Sequence, residues 1–235
     1  MKLIQGAFEQ ISRSRIGKID LVFADPPDNT GVKYEGYHDV LSTGEYHHLM
    51  VAWLRQAKSL CNGPIFWCFN EKWTWMVEEI IRSLDIPLIQ RCYWYWTFGQ
   101  NQRAKYTPSV RPVYWLNGNQ FYPNEIKVPS ARQTKYHDRR AEPSGRVPDN
   151  VWQISRVCGT FKERRAWHPC QIPEALIERI VLGHSQAGQA VLDPFMGSGA
   201  TGRVCLRTHR QCVGIEISPS FCKKIKKELS ILGDQ

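Results

Sequence analysis

Residues 190–216 read AVLDPFMGSGATGRVCLRTHRQCVGIE, and this stretch decides the fold. Ala190–Asp193 is a short apolar run, as expected of a buried strand. Pro194 stops it, and Gly197-Ser198-Gly199 follows. Glycines in that position let the backbone approach a ligand closely. Ala200–Thr208 reads as a helix and Gln211–Glu216 as a second strand. Glu216 then stands at a strand end, about twenty residues past the glycine turn, where a carboxylate can accept both hydroxyls of a ribose. Strand, glycine turn, helix, strand and terminal acid together form a nucleoside-binding pattern. The loop carries no Gly-Lys-Ser/Thr, which disfavours a phosphate-cradling P-loop.

The same alternation extends outward. Ser218-Pro219 caps and starts a last helix to about Leu232. Upstream, Pro173 starts a helix over Glu174–His184. Toward the N-terminus, Ile19–Ala24 reads as a buried strand that Asp25-Pro26-Pro27-Asp28 ends, because two prolines cannot continue a ladder. Ser42-Thr43-Gly44-Glu45 has capping-box spacing and opens a helix to about Leu60. Pro64–Phe69, Leu88–Trp96 and Pro112–Leu116 read as strands, and Glu71–Leu84 as a helix. Strands alternating with helices predict an α/β fold with a parallel-rich sheet covered on both faces. Residues 117–150 lose periodicity and read as a long loop or a small irregular insertion.

Composition narrows the function classes. The chain has 235 residues, 42% of them hydrophobic and 23% charged, which suits one large domain and excludes a disordered one. No apolar run is long enough to span a bilayer, and the N-terminus turns polar too early for a signal peptide. We therefore expect a cytoplasmic protein with no membrane partner. The eight cysteines show no CxxC spacing, so most read as small buried hydrophobes and no metal site is expected. The net charge is +9. Residues 100–165 hold thirteen Lys and Arg against five Asp and Glu, and so carry eight of those nine charges. Such concentration in one irregular segment favours contact with a polyanion.

Asp25-Pro26-Pro27 is the second chemical motif. A carboxylate followed by a rigid diproline fixes Asp25 and the Pro26 carbonyl at the carboxyl edge of a strand, where ligands bind in such sheets. Two fixed acceptors could hold both hydrogens of an amino group, aim its nitrogen at an electrophile and stabilise the positive charge that develops.

These motifs resemble those of the DNA amino-methyltransferases, which modify adenine N6 or cytosine N4. An early DPP motif and a late glycine loop resemble the permuted order called the beta class. Val22-Phe23-Ala24-Asp25-Pro26-Pro27 matches the catalytic motif, and Asp193–Gly202 the cofactor loop. His168-Pro169-Cys170-Gln171-Ile172-Pro173 resembles the family's HPxQKP segment, and Val151-Trp152-Gln153-Ile154 a segment that precedes it. The resemblance implies a Rossmann-like methyltransferase sheet as a single domain over 1–235, S-adenosyl-L-methionine as cofactor, DNA as partner and a flipped-out target base. It admits a homodimer. It assigns Asp25, Pro26, Pro27 and Asp28 to the catalytic motif. Asp193, Pro194, Phe195, Gly197, Gly199 and Glu216 fall to the cofactor, with His168 and Gln171 bordering its methionine end. It places a basic insertion with the target-recognition region at about 100–165.

Three departures from the family pattern stand out. The catalytic motif normally ends in an aromatic residue that stacks on the flipped base, and here it ends in Asp28. Tyr34, Tyr37, Trp94 and Trp96 are candidates to replace that ring, and Asp28 could instead bond a base edge. Ala7 lies where relatives carry an acid that contacts the cofactor's adenine. Ile172 replaces the usual Lys of HPxQKP. The leading Asp25 favours adenine N6, since cytosine-N4 members more often carry Ser there. The alternatives are cytosine-N4 methylation, an RNA base methyltransferase and a degenerate DNA-binding protein without catalysis.

Overall fold

The apolar runs collect into one central sheet in the computed structural model, which describes residues 1–99 and 102–233. Its strands, in chain order with a separate short hairpin formed by the third and fourth, are β1 (Lys2–Gln5), β2 (Leu21–Ala24), β3 (Lys33–Tyr34), β4 (Tyr37–His38) and β5 (Pro64–Cys68). Then come β6 (Leu88–Tyr95), β7 (Val110–Asn117), β8 (Val151–Gln153), β9 (Ala190–Asp193) and β10 (Gln211–Glu216). The helices are α1 (Arg13–Ile16), α2 (Thr43–Leu60), α3 (Thr74–Ser83), α4 (Ala131–Thr134), α5 (Glu174–His184), α6 (Ala200–Arg207) and α7 (Pro219–Gly233).

The central sheet has eight strands in the order β1-β10-β9-β2-β5-β7-β6-β8. Only β7 runs antiparallel to its neighbours; the other pairings are parallel. The parallel-rich α/β expectation therefore holds. Strand β2 shows why both faces must be covered. Val22 and Ala24 point into one core, with Tyr46, Met50 and Leu54 of α2 and Met76 and Ile80 of α3. Leu21 and Phe23 point into the other, with Leu176 and Ile180 of α5, Val204 of α6 and Ile225 of α7. A period-two strand with both sets apolar needs a helical layer on each side.

The predicted capping box forms as read: Ser42 Oγ accepts from the Glu45 N–H, and Glu45 Oε2 accepts from the Ser42 N–H at 2.9 Å. The helix expected from Glu71 starts later. Glu71–Trp73 is a 3-10 turn, with the Asn70 side chain accepting from the Lys72 N–H, and the α-helix begins at Thr74. Local capping chemistry holds those three residues out of the α-helix.

The segment expected as a basic insertion over 100–165 divides in space. Residues 100 and 101 lie outside the described residues. Val110–Asn117 and Val151–Gln153 are strands of the central sheet. The irregular part is 118–150, held by short devices such as the Ser130 capping box and the bridge between Val128 and Arg146. Among the described residues, no helix is long and apolar enough to cross a membrane.

Candidate active site

Strands β10, β9, β2 and β5 are consecutive in the sheet. Their carboxyl ends therefore deliver Glu216, Asp193, Asp25 and Cys68 to one edge. Above it opens a cavity of about 640 Å³. Of the twelve residues the sequence singled out, eleven line this cavity: Asp25, Pro26, Pro27, Asp28, His168, Gln171, Asp193, Pro194, Phe195, Gly197 and Glu216. Gly199 does not. It sits behind the loop as the N-cap of α6 with φ +78°, where a Cβ would press on Ile225 and Arg203.

The glycine loop is held by the acids around it. Asp193 Oδ1 accepts from the Phe195 N–H at 2.9 Å, and Oδ2 from the Thr201 hydroxyl. Burial pushes the Asp193 carboxyl up to about 7. Glu216 Oε2 accepts from the Gly197 N–H at 2.8 Å and Oε1 from the Ser218 N–H at 2.9 Å. Burial also raises Glu216 above the ordinary carboxylate range. Gly197 has φ +48°, and a Cβ there would come within 2.8 Å of His168 Nε2. Burial lowers the His168 imidazole to about 4, so it faces the loop neutral. Gln171 is a tether: its Oε1 accepts from the Arg165 N–H at 2.8 Å and its Nε2 donates to the Glu163 carbonyl at 2.7 Å.

A strap covers this end. The β3–β4 hairpin brings Tyr34, Glu35 and Tyr37 into the cavity wall. Asp39 organises its base by accepting from the N–H groups of Asn29, Thr30 and Val32 at 2.8–3.0 Å. Glu35 accepts hydrogen bonds from the Ser218 and Ser220 hydroxyls at the start of α7. The sequence reading missed this strap, because paired strands of two residues leave no periodic signal.

The other end of the cavity answers the question raised by Asp28. That carboxylate is engaged on both oxygens. Its Oδ2 accepts from Arg111 Nη1 at 2.6 Å, and its Oδ1 from Arg111 Nη2 at 2.9 Å and from the Asn70 N–H at 3.1 Å. Arg111 Nη2 also donates to Asp25 Oδ1 at 2.5 Å, and its Nε to Cys68 Sγ at 3.1 Å. Burial opposes charge on Arg111, but Asp25 and Asp28 overcome it and hold the guanidinium firmly charged. Burial, with the charge of Asp28, raises the Asp25 carboxyl, and Arg111 opposes that rise. Asp28, which the sequence offered as a base-edge contact, is thus a part-buried carboxylate taken up by the arginine fork. The sequence reading missed Arg111, which looked like one basic residue among thirteen.

Among the described residues, Asp25 Oδ2 and the Pro26 carbonyl accept no hydrogen bond. All four aromatic candidates, Tyr34, Tyr37, Trp94 and Trp96, line the same cavity. The Arg156 guanidinium lies 5.5 Å from the centre of the Trp96 ring. Beyond them the loop between β6 and β7 reaches the surface, where Phe98 is 73% and Tyr106 99% exposed.

A doubly covered, largely parallel sheet with a glycine loop, a strand-end glutamate and a diproline acid on one edge has the layout of an enzyme that uses a nucleoside cofactor. The comparisons specify which. A family model described as DNA methylase matches residues 19–227, and the chain belongs to that family of N6/N4 amino-methyltransferases. It is 30% identical to type II methyltransferase M.HpaI of Haemophilus parainfluenzae, over 97% of this chain and 73% of that one. It is 28% identical to the DNA adenine methyltransferase YhdJ of Escherichia coli, over 96% of this chain and 81% of that one. Among solved structures, PvuII DNA methyltransferase (cytosine-N4-specific) superposes with a TM-score of 0.71 at 16% identity, covering 99% of this chain and 92% of that one. The M1.HpyAVI–SAM complex superposes with a TM-score of 0.68 at 19% identity, covering 97% of this chain and 98% of that one. The protein is a DNA amino-methyltransferase, and S-adenosyl-L-methionine is its cofactor.

The residues present fit that cofactor. Gly197 leaves a cradle that a Cβ would fill, Glu216 is a buried strand-end acceptor, and Phe195, Ile217 and Phe221 supply apolar walls.

Proposed function

We propose that this chain methylates the exocyclic N6 of adenine in DNA, with the target base flipped into the end of the cavity beside Asp25. The carrying observation is the pair of unengaged acceptors, Asp25 Oδ2 and the Pro26 carbonyl, opening on the same cavity as the Glu216–Gly197 loop. Bound S-adenosyl-L-methionine supplies an electrophilic methyl group. Glu216 would hold the ribose, Phe195 and Gly197 the adenosine side, and His168 would border the methionine side. Asp25 and the Pro26 carbonyl would each accept one hydrogen of the target amine and so direct its lone pair outward. As the amine attacks, positive charge grows on its nitrogen, and Asp25 offsets it. The Asp at the head of the motif and the likeness to an adenine-specific relative support adenine over cytosine.

The basic loop between β6 and β7, with Phe98 and Tyr106 at its surface, would meet DNA together with the irregular part at 118–150. Lys and Arg there would contact phosphates and make affinity fall with salt, while aromatic rings would offer stacking surfaces.

The test is transfer of labelled methyl from S-adenosyl-L-methionine to mixed-sequence DNA, followed by nucleoside mass spectrometry. N6-methyladenine is the expected product. N4-methylcytosine would keep the mechanism and overturn the base. No modified nucleoside from protein that binds the cofactor would overturn both.

A further inference from the structure

We propose that Arg111 and Asp28 act as one positioning unit for Asp25, fixing which of its oxygens faces the target amine and keeping the local charge at that of a single carboxylate. The inference rests on the reading of Asp25 as an acceptor of that amine.

Three observations carry it. First, Arg111 sits on β7, opposite Trp94 of β6, with its side chain only 13% exposed. Its donors go to Asp25, to Asp28 and to Cys68 at the end of β5. A guanidinium held at three points is a rigid fork rather than a mobile cation. Second, the fork takes Asp25 Oδ1 and leaves Oδ2 without a partner among the described residues. The carboxylate is thereby pinned with one acceptor turned to the cavity. Third, the charges balance. An arginine against Asp25 alone would cancel the negative charge needed as the amine becomes cationic. Asp28 restores it: two carboxylates and one guanidinium sum to a single negative charge.

This accounts for the aspartate where the family pattern has an aromatic ring. An aromatic at position 28 would leave Arg111 against Asp25 with no second counter-ion. Asp28 and Arg111 therefore work as a pair, and base stacking falls to other rings that line the cavity, among them Tyr34, Tyr37, Trp94 and Trp96.

The test is steady-state methyl transfer by the full chain to DNA, comparing wild type with Asp25→Ala, Arg111→Gln, Asp28→Asn and the double variant Arg111→Gln/Asp28→Asn. Asp25→Ala should be inactive. Each neutral single should lose about 10²-fold in kcat, the scale on which small misplacements of a reacting group act, with KM for DNA changed by less than about threefold. The double variant, which removes both charges together, should lose no more than one single does, because residues that act as a unit are not additive. Cofactor binding by calorimetry and thermal unfolding report whether each variant folds. If the neutral singles do not fold, Arg111→Lys decides, since it keeps the charge and loses the fork; its kcat should fall by about tenfold. Wild-type kcat in either folded single or in Arg111→Lys would overturn the proposal, as would multiplicative losses in the double variant. Full turnover by Asp25→Ala would instead overturn the reading of Asp25, and this inference with it.

Discussion

The carboxylate of Glu216 accepts the Gly197 N–H at 2.8 Å. One strand end thus holds the turn that the preceding strand throws out over the cavity. Because that turn needs φ +48° at Gly197, and a Cβ there would meet His168 Nε2 at 2.8 Å, two constraints fall on one atom. Gly197→Ala should weaken S-adenosyl-L-methionine binding at least tenfold, from about 1–2 kcal/mol of left-handed strain plus displacement of His168. Isothermal titration of the cofactor checks this, and an unchanged affinity would remove Gly197 from the cradle.

Asp25→Ala should abolish methyl transfer and leave cofactor binding largely intact. Asp25 lies at the Arg111 end of the cavity, and the loop contacts of Glu216, Gly197 and Asp193 do not pass through it. Single-turnover assays alongside cofactor titration separate the two effects.

Asp28→Tyr restores the family's aromatic and should nevertheless fail. It removes the two hydrogen bonds from Arg111 and the one from the Asn70 N–H. It also inserts a large ring where a guanidinium is buried. We expect a lower melting temperature, since one side of a part-buried ion pair is removed, and loss of activity on ordinary DNA. A folded, more active variant would show that the ring is merely absent.

Glu35→Ala should loosen the strap. Glu35 joins the β3–β4 hairpin to Ser218 and Ser220, and those hydroxyls hold its carboxyl below the ordinary range. The expected outcome is faster cofactor dissociation in stopped-flow measurements with little change in melting temperature, since the residue is exposed and outside both cores.

His184 gives a pH prediction away from the cavity. Its ring lies between Phe66, Trp115 and Phe121, with Nδ1 at 2.7 Å from the Gln120 carbonyl. Burial lowers it from 6.5 to about 4. Below pH 6.5 the unfolded chain binds a proton that the folded chain refuses, so the stability this neutral ring contributes is present above pH 6.5 and is lost as pH falls toward 4. The advantage of wild type over His184→Gln in denaturant melts should shrink across that window. A constant difference would mean that the ring titrates normally.

The sequence by itself determined the sheet's main strands, because apolar runs bounded by proline or glycine are local patterns. It also singled out the two loops, because Asp-Pro-Pro and Gly-Ser-Gly are stiff and permissive backbones whose chemistry is written in consecutive residues. Nine of its twelve chosen residues end or follow β2, β9 and β10 and meet at one cavity because strand ends on one edge of a parallel sheet converge, while His168 and Gln171 reach the same cavity from the segment before α5. What tertiary structure alone decided is the partner of Asp28. Arg111 lies 83 residues away along the chain, on a strand whose antiparallel pairing with β5 and β6 no local pattern announces. The direction in which a part-buried carboxylate turns is set by the charge that the fold brings to it, and that charge comes from the register of β7 against its neighbours.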